Sequence, residues 1–179
     1  MELSSIKRAA EIIRRGGVVA YATEYCFGLG CDPFDAAAVR RLLRIKCRPA
    51  AKGLILLAGD IAQLEPYLID VPAHVRATWP GPHTWLLTPH NVPRFITGKH
   101  AQVAVRVTAH AQAAALCRAA GGPIVSTSAN RAGQKPARSY RAALARLGGA
   151  VDYVLPGTVG DLPAPTPIRD GATRAWVRV

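Results

Sequence analysis

Residues 103–127 read VAVRVTAHAQAAALCRAAGGPIVST, and this stretch decides the class of the fold. Valines alternate with other residues over 103–107, which is typical of a half-buried β-strand. Residues 110–120 are predicted to form a helix, and the apolar run 123–127 predicts a second strand. A strand, a helix and a strand in succession indicate an α/β fold.

The rest of the chain continues this interleaving of helices and strands. Ser5 is predicted to cap a first helix that ends at Gly16, and Asp35 is predicted to cap a second that ends near Ile45. Further helices are predicted over 60–68, 73–79 and 139–147, and strands over 18–21, 54–58, 84–88, 151–155 and 175–179. Because hairpin and crossover connections both occur, we expect a twisted mixed sheet flanked by helices.

The composition indicates one domain over residues 1–179. Half of the 179 residues are hydrophobic and 19% are charged, which is enough apolar material to exclude a wholly disordered chain. No apolar run approaches the roughly 18 residues that span a bilayer, and the N-terminus lacks the features of a signal peptide. The four cysteines form no C-x-x-C pair, so we expect reduced, structural thiols and a cytoplasmic protein without membrane association.

The chain is strongly basic, with 23 Lys and Arg against 11 Asp and Glu and a formal charge of +12. Of these cations 18 are arginines, whose planar fork matches phosphate groups. Aromatic residues make up only 6% and do not interleave with the basic cluster, which disfavours sequence-specific binding of single strands. The charge therefore favours an anionic partner, either a nucleotide or a nucleic acid.

Residues 46–53, KCRPAAKG, place three cations between a helix end and a buried strand. The preference of cations for helix C-termini explains Lys46. It explains Lys52 less well, because Lys52 opens the apolar strand and holds its charge at the sheet edge, where an anion is the natural partner. Phosphate binding by Lys46, Arg48 and Lys52 is our hypothesis, and a solvated basic loop is the alternative.

Residues 124–133, IVSTSANRAG, lead from a buried strand into small hydroxyls, an asparagine and a glycine. Such residues can build a backbone nest that donates N–H groups to an anion, although they also form ordinary turns. Neither the P-loop motif nor the dinucleotide-binding glycine motif is present.

Two further places are candidates for ligand binding. Arg106 interrupts the valines of 103–107, so its side chain lies on the opposite face of the strand. A solvated outer face is the simple interpretation, whereas a sheet covered on both faces would leave Arg106 suited to a ligand carboxylate. The second candidate is the stretch 23–30, TEYCFGLG, whose glycines predict an irregular loop. Thr23 is a candidate for orienting a ligand and Glu24 for capping or accepting, although a purely structural role is the simpler interpretation when either residue is taken alone.

Several kinds of catalytic site are excluded. No histidine accompanies a serine or cysteine in a nucleophile arrangement, and the histidines do not share the spacing of metal ligands. Asp32 and Asp35 flank a proline and do not form a carboxylate pair. The sequence therefore predicts neither a protein nucleophile nor a metal centre.

These motifs, in this order, resemble the YrdC-like threonylcarbamoyl-AMP synthase family in its short, single-domain form. The matching stretches are Thr23-Glu24 with 27–32, Lys46 to Pro49 with 52–54, 79–82 with Thr84, 103–107, and 126–130 with Gly133. The resemblance implies a concave basic α/β domain without a C-terminal extension domain. It also implies a nucleotidyltransferase that condenses ATP, bicarbonate and L-threonine into threonylcarbamoyl-adenylate and releases pyrophosphate, the first step of a tRNA modification.

The resemblance also implies roles for single residues. Lys46, Arg48 and Lys52 resemble the catalytic cationic cluster. ATP binding is implied for Arg48, Lys52, Ser128, Asn130 and Arg178, and threonine binding for Thr23, Arg106, Ser126 and Thr166. The chain departs from the family where Ala22 replaces a proline, Tyr25 a smaller residue and Thr166 a serine.

Attack of a carbamate on the α-phosphorus needs positioning and cationic stabilisation more than a protein nucleophile, in agreement with the residues present. Mg²⁺ is expected to be held mainly by the nucleotide phosphates. Expected partners are the downstream tRNA threonylcarbamoyl transferase proteins, and tRNA or double-stranded RNA.

Two alternative functions remain. One is an RNA-binding maturation factor without catalysis, which needs only a surface stripe of cations. The other is carbamoyl transfer in metalloenzyme maturation, which uses longer chains.

Overall fold

The computed structural model describes residues 2–178, with side chains for 3–177. The helices are α1 (Glu2–Arg14), α2 (Ala36–Lys46), α3 (Ala73–Arg76), α4 (Arg94–Thr97), α5 (Ala111–Ala120) and α6 (Tyr140–Leu147). The strands are β1 (Val19–Ala22), β2 (Phe27–Gly30), β3 (Ile55–Ala58), β4 (Thr84–Leu87), β5 (Val103–Val107), β6 (Ile124–Ser128), β7 (Tyr153–Val154), β8 (Ile168–Asp170) and β9 (Trp176–Arg178). Short 3₁₀ helices span Ala50–Lys52, Ile61–Gln63 and Glu65–Tyr67.

The strands of the described chain form one nine-stranded sheet in the order β7-β1-β2-β6-β3-β5-β4-β8-β9. Strands β3 and β5 run parallel, whereas β6 and β4 pair antiparallel on either side of them. The predicted α/β fold with a mixed sheet and flanking helices is thus confirmed. On one face α1 and α5 cover a cluster that includes Ile13, Tyr21 and Leu57, and on the other the valines of β5 join a second cluster.

Caps from the sequence set the ends of several helices. The carboxylate of Asp35 accepts from the backbone N–H groups of Ala37 and Ala38, and Ser139 caps α6 through the N–H of Ala142. The prediction that Ser5 caps the first helix is wrong, since α1 begins at Glu2. Nothing before Ser5 breaks a helix, and the preceding Glu2 and Leu3 are good helix formers, so the helix starts earlier.

The irregular loop predicted over 23–30 is wrong for Gly28 and Gly30. Both glycines lie in β2, which pairs antiparallel with β1 and β6. Side chains would collide there: a Cβ on Gly30 would come within 2.8 Å of the Tyr21 ring and of the Val125 carbonyl. Gly28 faces the same ring at 3.4 Å. Close packing against Tyr21, rather than a special backbone angle, therefore explains Gly30, whereas a Cβ on Gly28 would make only an ordinary contact with the ring.

Other differences are confined to short elements. The helix predicted over 60–68 is replaced by two 3₁₀ turns, the first capped by Asp60, and the helix over 73–79 is only one turn long. The sequence pattern did not predict α4 or β8, because elements of three or four residues are too short to show a period. Within residues 2–178 no helix is long and apolar enough to cross a membrane.

Candidate active site

A cavity of about 410 Å³ lies against one face of the sheet, beside the layer of α1 and α5. Small residues of the strands, such as Gly28, Ala104 and Ser126, line it and leave room for a ligand. Eight residues that the sequence analysis singled out also line it, namely Thr23, Arg48, Lys52, Arg106, Ser126, Ser128, Asn130 and Thr166. Segments that lie far apart in the chain thus converge on one cavity.

Cations and small polar groups form one end of this cavity. Arg48 follows the end of α2, and its Nη2 donates to the carbonyl of Gly53 at 3.0 Å, whereas its buried Nε has no hydrogen-bond partner among the described residues. Lys52 ends a 3₁₀ turn and is exposed, so the prediction that it opens the strand is wrong. Gly53, with φ of +63°, then redirects the chain into β3. Ser128 and Asn130 face these cations from the end of β6, which gives the pattern of an anion site.

Lys46 is buried behind this end and does not line the cavity. Its Nζ donates to the carbonyl of Ser128 and, at 3.0 Å, to that of Asn130. Burial, and to a smaller extent the nearby charge of Arg48, lower the pKa of Lys46 to about 8. Lys46 thus holds the loop that presents Ser128 and Asn130, and its predicted direct contact with phosphate stays a prediction.

The other end of the cavity is built around Arg106. The residue is 5% exposed, so the interpretation as a solvated strand residue is wrong. Its Nη1 donates to Oγ1 of Thr166 at 2.6 Å, and its Nη2 lies 3.3 Å from Oε2 of Glu24. Oε1 of Glu24 accepts from the hydroxyl of Thr108 at 2.6 Å. The buried Nε of Arg106 has no partner among the described residues and remains for a ligand.

A layer of hydroxyl groups surrounds Arg106. The Tyr21 hydroxyl donates to the Val125 carbonyl at 3.4 Å, and burial raises the pKa of Tyr21 far above its ordinary value, so the phenol stays protonated. Thr23 donates its hydroxyl hydrogen to the Cys26 carbonyl at 2.7 Å, which leaves its oxygen free to accept from a ligand amine. Thr84 and Thr166 lie 3.3 Å apart, Oγ1 to Oγ1.

Cys26 lines the cavity, but burial raises the pKa of its thiol to about 11, so it is protonated at neutral pH and a poor nucleophile. All four cysteines are free, as predicted, although Cys47 is exposed and has no structural role in the core. Among residues 2–178 no group of three His, Cys, Asp or Glu side chains could hold a metal ion.

Sequence reasoning did not identify every residue of the cavity. His100 and Gln102 line it from the loop before β5, and neither belongs to a motif that could have singled it out. The local sequence indicates only a cap or an acceptor for Glu24, because its partner Arg106 lies 82 positions away. The side chain of Arg178 lies outside the described residues.

Comparisons with known proteins agree with this geometry. The Sua5/YciO/YrdC family model, described as "Telomere recombination", matches residues 11–178. A protein of Alkalilimnicola ehrlichii named threonylcarbamoyl-AMP synthase is 54% identical over 180 residues, which cover 97% of this chain and 94% of the relative. The protein of the same name from Halorhodospira halophila is 49% identical, over 97% of this chain and 93% of the relative.

Solved structures share the fold. The structure of P. abyssi Sua5 complexed with L-threonine matches with a TM-score of 0.91 and 32% identity, over 98% of this chain and 53% of that protein, so this chain spans about half its length. E. coli YciO matches with a TM-score of 0.85 and 30% identity, over 98% of this chain and 89% of that one. Fold, site and relatives together define an α/β enzyme of the nucleotidyltransferase type. The chain belongs to the Sua5/YciO/YrdC family.

Proposed function

We propose that this chain is a threonylcarbamoyl-AMP synthase, which forms threonylcarbamoyl-adenylate from ATP, bicarbonate and L-threonine. The observation that carries this proposal is one cavity with Arg48 and Lys52, which form no ion pair among the described residues, at one end and the buried Arg106 at the other. Phosphates suit the first end and an amino-acid carboxylate the second. An RNA-binding protein without catalysis has no need of a buried arginine in the lining of a cavity.

The reaction fits the groups present. The threonine amine adds to the carbon of bicarbonate, and loss of water gives a carbamate. A carbamate oxygen then forms a bond to the α-phosphorus, while the bond from that phosphorus to the oxygen bridging to the β-phosphate breaks and pyrophosphate leaves with the electron pair. Arg48 and Lys52 stabilise the charge that develops on the phosphates, and Ser128 and Asn130 position them.

Arg106 binds the threonine carboxylate, and the Thr23 oxygen accepts from the threonine amine. The hydroxyls of Ser126 and Thr166 complete the threonine end, and Arg178 is proposed to close on the nucleotide. No step requires a protein nucleophile, because the substrate supplies one and the cavity only holds both reactants in line.

Mg²⁺ is proposed to enter with ATP and to stay on its phosphates. The cavity lining offers cations, hydroxyls and amides and, among the described residues, no carboxylate. Because Mg²⁺ prefers carboxylate, phosphate and water oxygens, the nucleotide supplies its ligands better than this chain does.

The product is a mixed anhydride that water destroys, so an enzyme that transfers the threonylcarbamoyl group to tRNA is the expected consumer. We place this reaction in the cytoplasm, where such a transferase and its tRNA are found together. Direct binding of tRNA or double-stranded RNA to the basic surface is proposed as a weak, electrostatic contact.

The test is pyrophosphate release from ATP and bicarbonate in the presence of each amino acid in turn. We expect release with L-threonine and a large loss of release when bicarbonate is removed. Pyrophosphate release that does not depend on threonine would contradict the proposed function. Tight RNA binding without pyrophosphate release in the presence of any amino acid would contradict it as well.

A further inference from the structure

Tyr25 places an aromatic ring in the wall of the cavity, two positions after Thr23. The side chain is half-buried and lies in the turn that joins β1 to β2. Pro136 and Pro165 line the cavity as well, from two other segments of the chain. Tyr25, Pro136 and Pro165 thus supply apolar groups to the cavity lining, and we name these three residues the Tyr25 wall.

The ring of Tyr25 is fixed from outside the cavity. The guanidinium carbon of Arg138 lies 4.9 Å from the ring centroid, and Nη2 of Arg138 donates to the carbonyl of Leu162 at 3.1 Å. Arg138 thus connects the turn of Tyr25 to the loop 160–166, whose last residue is Thr166. This loop is also joined to the turn by the N–H of Gly160, which donates to the carbonyl of Thr23 at 3.0 Å.

The position of the Tyr25 wall follows from these links. Thr166 contacts Arg106, so the loop that Arg138 holds is the one that completes the threonine end of the cavity. Thr23, on the same turn as Tyr25, lines that end too. The Tyr25 wall is therefore part of the amino-acid end, and the cations of Arg48 and Lys52 form the other.

The α-carbon of an amino acid directs its three heavy substituents apart. On the proposed function, Arg106 takes the carboxylate and the oxygen of Thr23 accepts from the amine. The side chain then needs a third direction, and the Tyr25 wall supplies an apolar surface there. Because the ring stacks on the guanidinium of Arg138 on its outer side, it resists displacement by a larger side chain.

We propose that Tyr25, held by Arg138, sets the size of the amino-acid side chain that the cavity accepts and excludes side chains longer than that of threonine. This inference rests on the proposed function. It assigns substrate selection to a residue that has no part in the chemistry.

The experiment compares L-threonine with L-3-hydroxynorvaline, which is longer by one methylene. We expect the parent to prefer threonine in kcat/KM by about 10-fold or more, the usual discrimination for one methylene in a closed pocket. Tyr25→Ala should reduce this ratio by about tenfold, and Tyr25→Phe should retain it because the ring remains. Arg138→Ala should reduce it partly, while Arg141→Ala, an arginine of α6 without a contact to Tyr25, serves as the matched control.

Two results would overturn the proposal. In the first, Tyr25→Ala leaves the ratio unchanged while the protein stays folded by circular dichroism. In the second, Tyr25→Ala raises the KM for ATP and leaves the ratio of kcat/KM for the two amino acids unchanged, which would place the ring beside the nucleotide. An unchanged ratio in Arg138→Ala would remove Arg138 from the proposal.

Calorimetric titration with both amino acids separates this proposal from the proposed function. If the parent binds threonine better than hydroxynorvaline but releases no pyrophosphate, the proposed synthase activity is rejected. The role of Tyr25 is then tested by the ratio of the two affinities in the parent and in Tyr25→Ala. A parent that binds neither amino acid would overturn both proposals.

Discussion

The guanidinium of Arg106 and the carboxylate of Glu24 form an ion pair of 3.3 Å, with only 6% and 10% of the two side chains exposed. A buried charge needs a partner of opposite sign, and each of these residues supplies it for the other. Because Thr108 fixes the second oxygen of Glu24, the carboxylate holds Arg106 in one orientation toward the cavity. Glu24 is therefore a positioning residue for the arginine that we assign to the substrate carboxylate.

Glu24→Gln should raise the KM for L-threonine by about tenfold or more, with little change in the KM for ATP. The glutamine oxygen can still accept from Thr108, but its NH₂ group would face the donors of Arg106. Breaking a buried pair also lowers the free energy of unfolding, by about 3–5 kcal/mol. Steady-state kinetics and urea unfolding give the two quantities. Glu24→Asp keeps the charge and should recover part of the threonine affinity; equal losses for both substrates would mean that Glu24 is only structural.

Arg106→Lys should raise the KM for L-threonine by about tenfold or more, since each 1.4 kcal/mol is a factor of about ten. A charge-assisted pair with a carboxylate is worth about 1.5–3 kcal/mol, and lysine keeps the charge but loses the planar fork. It also cannot bridge Thr166 and Glu24 while it contacts a ligand. Kinetics with threonine and with ATP varied separately provide the measurement. If the ATP constant rises equally, Arg106 serves the nucleotide instead.

Lys52→Ala should lower kcat/KM by about a hundredfold and leave the midpoint of thermal unfolding unchanged. Lys52 is exposed, so its removal costs the fold little, while its charge borders the phosphate end of the cavity. Lys99→Ala is a suitable control, because Lys99 is an exposed neighbour of the same turn that does not line the cavity. A near-normal rate of pyrophosphate release in Lys52→Ala would remove this lysine from the site.

The sequence predicted those parts of the fold that depend on neighbouring residues. Asp35 caps α2 through N–H groups two and three positions ahead, and the valines of β5 carry their own alternation. The loop predicted for the glycines of β2 is wrong, because Gly30 accommodates the Tyr21 ring, which lies on another strand. A local pattern does not contain that information.

In the candidate site too, the sequence predicts some features and not others. Resemblance to a family singled out Arg48, Lys52 and Ser128, and the structure brings them to one cavity. Neither the resemblance nor the charge pattern could show that Lys46 lies behind the cavity on backbone carbonyls, or that Arg106 is paired with Glu24. Both facts depend on how distant segments pack.

Binding of double-stranded RNA should be electrostatic, with an affinity that falls steeply with salt and varies little with sequence. Arg40, Arg44 and Arg48 line a second depression beside the cavity, and the side chains of Arg40 and Arg44 are exposed on α2. Replacing Arg40 and Arg44 together by alanine should lower the slope of log affinity against log salt by about two. Fluorescence anisotropy at several salt concentrations measures this slope, with Lys7→Ala on α1 as the control. Binding that survives high salt would contradict an electrostatic contact.

The pH dependence of Lys46 links the loop of Ser128 to catalysis. With a pKa lowered from 10.5 to about 8, Lys46 loses its charge in the folded protein as pH rises through 8, whereas the unfolded chain keeps the proton up to about 10.5. The unfolded state therefore binds more protons between these values, and the free energy of unfolding should rise with pH relative to that of Lys46→Met. Urea unfolding of both proteins at several pH values measures this difference.

Activity should move in the opposite direction. If the charge of Lys46 holds the carbonyls of Ser128 and Asn130 for the nucleotide, kcat/KM for ATP should fall above about pH 8 while stability rises. Unfolding cannot then explain the loss of activity. Lys46→Arg keeps its charge to higher pH and, where it folds, should shift the fall in kcat/KM upward by at least one pH unit. A parent profile that is flat from pH 7 to pH 9.5 would show that the proton on Lys46 has no part in nucleotide binding.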